Sequence, residues 1–373
     1  MPVPCETEVF VVGGGPAGLA AAIAARGKGF RVTVADRSRP PIEKPCGEGL
    51  MPDSLAALRQ LGITIGPEHS FPFRGIRFLT PGTSVSASFP SGCGLGMRRA
   101  VLHQLMADRA AEAGVRFLWG ARVNGISSEG VVVNGGLVRS RWVVGADGQN
   151  SLVRRWAGLD ALHSHKRRFG FRQHYQVAPW SDCVEIYWGS GFQFYITPIS
   201  PREVCTVMIS RDRHLRIDRA LEGCPELRER LRGAVPEGAE RGAVSVSCRF
   251  KNVVRKRVAL IGDASGSVDA VTGEGMCLAF QQALQLADAL AAGDLSKYAA
   301  EHHRLMRRPF FMADAMLLLD RFPGVRDRTM RAFSAKPGIF ATLLAAHVGA
   351  RSPSEIVTSA LPLGWQMLTA GRP

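Results

Sequence analysis

The chain has no apolar stretch long enough to span a bilayer, no charged-then-apolar leader, no C-x-x-C pair, no internal repeat and no low-complexity linker. The first two absences argue against an integral membrane protein and predict a cytoplasmic one that can still touch a membrane surface. Eight cysteines (Cys5, Cys46, Cys93, Cys183, Cys205, Cys224, Cys248 and Cys277) are scattered, with no His/Cys cluster at metal-ligand spacing. That pattern predicts free thiols in a reducing compartment and no metal site. Nucleic-acid modules are missing too. The net charge of +15, from 47 Lys and Arg against 32 Asp and Glu, therefore suits anionic small molecules or acidic lipid headgroups better than DNA or RNA.

What the chain does have is glycine, 41 residues of it, used most densely near the start. An apolar run, Val9 to Val12, feeds Gly13-Gly14-Gly15-Pro16-Ala17-Gly18. An alanine-rich segment then stops at Gly27 and Gly29, and a second apolar run ends at Asp36-Arg37. The order is strand, turn, helix, strand, with G-x-G-x-x-G at Gly13, Gly15 and Gly18. Gly13 permits the tight turn, Gly15 lets the backbone approach a pyrophosphate, and Gly18 lets helix pack on strand. Free N–H groups and the positive dipole end at the helix start favour phosphates. Asp36 ends its strand where a carboxylate can accept ribose hydroxyl protons. The unit predicts dinucleotide binding, and 373 residues suit about two domains.

Further along, residues 38–49 are rich in Pro and Gly and read as a loop carrying Lys44-Pro45-Cys46-Gly47-Glu48-Gly49. A helix capped by Asp53 or Ser54 follows, ending at Gly62. Strands are predicted over 75–80, 84–89, 115–118 and 131–138, and a helix from Met97 through Leu102, Met106 and Ala110 to Gly114. Between Arg168 and Ser210 the period changes to two. Phe169, Phe171, Tyr175 and Val177 share one face, with Arg168, Arg172 and His174 on the other. Val184, Ile186 and Trp188 alternate with Glu185 and Tyr187, and Phe192, Phe194 and Ile196 with Gln193, Tyr195 and Thr197. These are expected to be antiparallel strands, packed on one side and polar on the other, roofing a ligand site. Near Arg257 the first pattern returns as a strand ending at Gly262-Asp263, a loop and a helix with Met276, Ala279, Ala283, Leu286 and Leu290 on one stripe. The rest reads as amphipathic helices.

Two more stretches complete a set: Gly145-Ala-Asp147-Gly148-Gln-Asn-Ser151-Leu-Val-Arg154, and Gly262-Asp263-Ala-Ser-Gly266-Ser-Val268-Asp-Ala270-Val-Thr272-Gly273-Glu274-Gly275. In this order and spacing the three blocks resemble the FAD-dependent aromatic hydroxylases of the para-hydroxybenzoate hydroxylase type. They resemble still more closely the geranylgeranyl reductase branch of that superfamily. The resemblance implies an α/β fold in which a discontinuous Rossmann-like FAD domain (1–70, 96–157 and 252–300) is interleaved with an antiparallel-sheet substrate domain (71–95 and 158–251). A C-terminal helical region (301–373) follows.

It also implies roles. The loop from Gly13 to Gly18, with Asp36 and Arg37, would hold the ADP half. Arg99 would reach the phosphates or ribityl chain, and Val123 would meet the adenine through its backbone. Asp147 would support FAD and the incoming nicotinamide nucleotide, and Gly262 and Asp263 the ribityl hydroxyls. Gly273, Glu274, Gly275 and Met276 open a helix whose unpaired N–H groups can face the flavin N1/C2 edge, anionic when reduced. Cys46 resembles the branch's loop cysteine near the isoalloxazine. Cys46, Glu48, His174, Tyr187 and Tyr195 are the candidate acids and bases.

The leading expectation is an NAD(P)H-driven FAD monooxygenase. It would use O2, through a C4a-hydroperoxide, to hydroxylate a hydrophobic aromatic or polyketide-like small molecule. The branch's Tyr-x-Trp-x-Phe-Pro motif survives only as Gln193-Phe-Tyr195-Ile-Thr197-Pro198, which weakens transfer of its prenyl substrate. An alkene reductase of the geranylgeranyl reductase type is the second reading, and a non-catalytic flavin-binding module the third. The C-terminal run from Phe310 to Phe322 mixes apolar residues with arginine. It is expected either to pack over the substrate domain or to contact acidic lipid.

Overall fold

The computed structural model describes residues 5–351, and of 162–166 the backbone alone. The last part of the expected C-terminal helical region, 352–373, lies outside the described residues.

Five parallel strands form the centre of the first sheet, in the order Val258–Leu260, Gly136–Gly145, Glu6–Val12, Val32–Asp36 and Arg116–Trp119. Their near-continuous apolar runs are what a sheet covered on both faces requires, and Val9 to Val12 are buried to the last residue. The helix Pro16–Gly27 follows the first strand and packs against the helices Gly275–Ala291 and Arg99–Glu112. Pro16 occupies the first turn, where its missing N–H costs no helical bond. Alanines at 20, 21, 22, 24 and 25 are buried and keep the layers close. Leu19 is fully buried among them; truncation to Ala would cost about 2–5 kcal/mol.

The register explains how distant motifs meet. Leu260, Gly145, Val12, Ala35 and Leu118 are partners in one line across the five strands. The carboxyl ends are therefore level. The segments that leave them, at Gly262-Asp263, Ala146-Asp147, Gly13 to Gly15 and Asp36-Arg37, form one rim. Ligands of open α/β sheets bind at that edge.

The second sheet runs Gly266–Ser267, Val235–Phe250, Leu162–Gln176, Glu203–Ser210, Phe192–Ser200, Cys183–Trp188, Gly75–Thr80, Thr83–Ser88. It is antiparallel except where Cys183–Trp188 lies parallel to Gly75–Thr80. Three helices, Leu295–Arg321, Pro323–Ala335 and Pro337–His347, cover one of its faces. Ala313, Phe333, Phe340 and Leu344 are buried there with Phe78, Ile186 and Trp188. A third sheet of three short strands, Gly49–Leu50, Gly94–Gly96 and Phe71–Phe73, pairs the end of the cysteine loop with the chain ahead of Arg99.

The structure corrects three expectations. The strand over 131–138 is two strands, Gly130–Val133 and Gly136–Gly145, joined at Asn134-Gly135, both at positive φ. An Asn-Gly pair is the usual signal of such a two-residue hairpin turn, and the valine-rich flanks hid it. The helix Pro52–Gln60 is capped by Met51 without a side-chain bond, and Asp53 sits inside its first turn. Neither face of the second sheet is solvated: Arg168, Arg172, His174 and Gln193 are buried on the face toward the C-terminal helices, and Glu185 on the other. Helices and loops cover both faces, which an alternation pattern cannot reveal.

Candidate active site

One cavity of about 1610 Å³ extends from the rim of the parallel sheet into the space between the second sheet and the C-terminal helices. Its first half is made largely of backbone. Gly13 has φ +108°, and a Cβ there would stand 2.3 Å from the Ala146 carbonyl oxygen. A Cβ on Gly18 would meet the Gly13 oxygen at 1.8 Å. Both positions must be glycine for the turn to close. At Gly15, by contrast, a Cβ would meet nothing within 4 Å, and the residue lines the cavity. Gly148, Gly273 and Gly275 share that pattern. The open side of each turn faces the cleft, as a cradle for a dinucleotide needs, so the residues present fit FAD.

Side chains brace this cradle. Asp36 accepts from the Gly14 N–H and from the Ser38 N–H, both at 2.7 Å. His103 is fully buried and spans the glycine turn and the cysteine loop. Its Nδ1 accepts from the Ile42 N–H at 3.3 Å, so Nε2 carries the proton and donates to the Gly14 oxygen at 2.8 Å. Burial keeps the His103 pKa below its ordinary value, so the ring supports the loop without adding charge. Arg99 lines the cavity, and its Nη1 donates to the Ile42 oxygen at 3.1 Å. Asp147 lines the cavity and also caps the helix Leu152–Trp156, accepting from the Leu152 and Val153 N–H groups at 2.7 and 3.1 Å. Asp263 pairs with Lys44 at 3.1 Å, and both face the cavity. Gln282, buried in the helix Gly275–Ala291, accepts from the Gly262 N–H at 2.8 Å. Pro16, Ala17, Arg37, Val123, Gly262 and Met276 also line the cavity, whereas Gly14 and Gly18 do not.

At the middle of the cavity the cysteine loop crosses under the second sheet. Glu48 sits there at φ +59°, only 2% exposed, with both carboxylate oxygens hydrogen-bonded. Its Oε1 accepts from Arg172 Nη1 at 3.0 Å and from the Arg99 N–H at 3.1 Å, and its Oε2 meets His174 Nε2 at 2.7 Å. Arg172 also donates to Glu43 at 2.6 Å. The ligand atoms of Glu48, His174 and Cys205 lie within 4.8 Å of one another. The guanidinium beside Glu48, however, makes this a closed hydrogen-bonded knot rather than a cation site. Cys46 lines the cavity, its sulfur accepting from the Glu48 N–H at 3.4 Å, and burial pushes its thiol pKa up. At neutral pH Cys46 is a protonated thiol.

The second half of the cavity is almost wholly apolar. Phe78, Ile186, Ile209, Met316, Phe333 and Phe340 are among its walls. Tyr195, Thr197 and His347 are among its few polar groups. The Tyr195 hydroxyl donates to the Val271 oxygen at 3.0 Å, and burial raises its pKa, so it stays protonated. Tyr187, by contrast, lies on the sheet's other face, with Phe192 and Phe194, where its hydroxyl donates to Glu185 at 2.7 Å. Three groups escaped the sequence reading. His103 stands one helical turn after Arg99, a spacing that puts both on one face and was a usable signal. Lys44 carried none beyond its loop, and His347 none at all.

The sequence profile of the FAD binding domain family matches residues 6–296. The chain is 28% identical over 335 residues to digeranylgeranylglycerophospholipid reductase 1 of Methanothermobacter thermautotrophicus, covering 81% of this chain and 82% of that one. It is 31% identical over 348 residues to 6-methylpretetramide 4-monooxygenase of Streptomyces rimosus, covering 82% and 81%. Among solved structures it is similar to a flavoprotein/dehydrogenase from Cytophaga hutchinsonii, with a TM-score of 0.82 at 17% identity over 97% of this chain and 99% of that one.

Proposed function

The chain belongs to the FAD binding domain family, and from that premise we propose that it is an NAD(P)H-driven monooxygenase that hydroxylates an apolar aromatic or polyketide-like small molecule. The coarser statement is plain: it is an FAD-dependent oxidoreductase of the superfamily that holds both hydroxylases and geranylgeranyl reductases. The chemistry that bound FAD supplies is two-electron transfer from NAD(P)H, here to O2. The protein's part is to bind, orient and exclude water. Backbone N–H groups around Gly15 and the start of the helix Pro16–Gly27 would hold the pyrophosphate, Asp36 the ribose, and Arg99 with the Lys44–Asp263 pair the linker. The N–H groups from Gly275 onward would face the ring's carbonyl edge.

The observation that carries the hydroxylase reading is the second half of the cavity. Its aliphatic and aromatic walls select an apolar molecule and keep water from an oxygen-transfer step. The relative that hydroxylates 6-methylpretetramide supports the same reading. Phe311 and Leu318 line the cavity yet are 57% and 50% exposed, which suits them to admit such a substrate from an apolar surface.

A second reading, alkene reduction, is favoured by one specific feature. Cys46 places a protonated thiol on the cavity wall, where it can supply the proton that accompanies a hydride. Oxygen separates the two. Hydroxylation predicts substrate-dependent O2 uptake and a product gaining one oxygen. Reduction predicts the same NAD(P)H oxidation under argon and a product gaining two hydrogens.

A further inference from the structure

Where the glycine turn 273–275 passes behind the cavity, four buried polar atoms are left without a hydrogen-bond partner: Asp53 Oδ2, Glu274 Oε2, Arg308 Nε and His347 Nδ1. They come from four different helices or turns that converge on Glu274, which is itself only 2% exposed. Arg308, on the helix Leu295–Arg321, stands 3.7 Å from Glu274 Oε1, and His347, at the end of the helix Pro337–His347, places Nδ1 3.7 Å from Oε2. Asp53 approaches from the helix Pro52–Gln60, Thr272 from the turn itself, and the buried Cys277 lies one turn along Glu274's own helix.

The hydrogen-bonding arithmetic leaves a proton to be placed. His347 Nε2 meets the Thr272 carbonyl oxygen at 3.2 Å. Only an N–H can donate to that oxygen, so in the neutral ring Nδ1 is a bare acceptor. Glu274 Oε2, if ionised, is another acceptor, and Asp53 Oδ2 a third. One guanidinium faces two carboxylates and an imidazole lone pair. One acid that keeps its hydrogen relieves the opposition of bare acceptors, Glu274 Oε2 facing His347 Nδ1 at 3.7 Å. Glu274 is that acid: burial raises its pKa to about 8, with Asp53 adding to the rise and Arg308 opposing it. Burial lowers His347 to about 4, with Asp53 and the Thr272 oxygen working against the drop and Arg308 with it. Both groups are then neutral at pH 7.

His347 lines the cavity, and Glu274 stands directly behind it. We propose that Glu274 and His347 form a one-proton store for the reaction chamber, with Glu274 holding the proton and His347 passing it to and from the molecule bound there. The step balances. The O–H bond at Glu274 Oε2 breaks as an N–H bond forms at His347 Nδ1, giving a carboxylate and an imidazolium on the cavity wall. A bound oxyanion or carbanion takes the Nε2 proton from the imidazolium, which breaks the bond to the Thr272 oxygen and leaves a neutral ring with its hydrogen on Nδ1; the ring resets as Nδ1 returns that proton to Glu274 and Nε2 takes one from solvent. Hydroxylation and alkene reduction each need such a proton. His347 is the catalytic group and Glu274 the positioning residue. The proposal rests on reading this cavity as the reaction chamber.

Infrared difference spectroscopy on the full chain, with and without FAD, tests the store apart from that reading. The expected result is an un-ionised carboxyl band at neutral pH that vanishes as pH passes about 8 and is missing from Glu274→Gln. Wild-type and Glu274→Gln spectra that superpose would overturn the proposal. In steady state, Glu274→Gln and His347→Gln are each expected to lower kcat about 100-fold or more with KM little changed, and to lose the alkaline limb of the pH profile. A limb that persists in both variants would equally overturn it. If Glu274→Gln does not fold, His347→Gln alone is informative, because it leaves the carboxyl in place and is expected to shift its infrared midpoint. A chain that shows the carboxyl band yet binds no flavin would keep the store and sink the functional reading instead.

Discussion

Glu48, on the cavity wall, and Glu274, behind His347, are equally buried, at 2% exposure. Their surroundings could hardly differ more. Glu48 lies in a region where both carboxylate oxygens are met, by Arg172, His174 and a backbone N–H at 2.7–3.1 Å. Glu274 lies in a region where Arg308 and His347 both stop at 3.7 Å and one oxygen has no partner. The first acid ties a positive-φ loop to the second sheet. The second retains a proton. Burial alone thus says little about what a carboxyl does; the reach of its partners decides.

The sharpest way to break this contrast is to remove each acid in turn. Glu48→Ala leaves the Arg172 guanidinium buried beside an empty site, with only the partly exposed Glu43 to answer it. That should cost about 3–5 kcal/mol in denaturant unfolding. Glu274→Gln should act in the opposite direction and with a pH signature. Glu274 has a folded-state pKa raised from 4.5 to about 8. Its stabilising contribution is therefore complete below pH 4.5 and lost as pH rises through 8. The amide carries no such loss, so the variant should be more stable than wild type by up to about 5 kcal/mol well above pH 8 and nearly equal to it in mild acid. Melting curves at several pH values check both. A Glu274→Gln penalty that does not vary with pH would contradict the contrast.

Smaller effects sharpen the picture on the cofactor side. Asp36→Ala should remove charge-assisted hydrogen bonds worth about 1.5–3 kcal/mol, one to two decades in FAD affinity by equilibrium titration. Some of that loss would come through the glycine turn, since Asp36 holds the Gly14 N–H. The smallest expected change is at the mouth. Phe311→Ser should leave stability within about 0.5 kcal/mol while raising KM for an apolar substrate and reducing any sedimentation with anionic liposomes.

The cofactor half was legible in the sequence because its parts are local and made of backbone. A turn that closes only with glycine at positions 13 and 18 leaves its trace as spacing, and level strand ends bring the later motifs to it without further information. The other half was not, for a physical reason. Its walls combine the second sheet with helices far along the chain, so no short window contains the juxtaposition of Phe78 with Phe340 or of Glu274 with His347. Period-two alternation correctly separated the two faces within each strand. It could not report which faces of neighbouring strands coincide, and so it offered Tyr187, which shares a face with Phe194, beside Tyr195, which shares one with Ile186.

Gly15 carries the account's central claim, that the glycine rim holds the cofactor. Its backbone, at φ −73° and ψ 178°, tolerates any side chain, and the space beside it is open to the cleft. Gly15→Val should therefore fold with wild-type melting behaviour and yet purify without flavin, while the wild-type chain retains FAD in stoichiometric amount. A Gly15→Val protein as yellow as its parent would contradict the account.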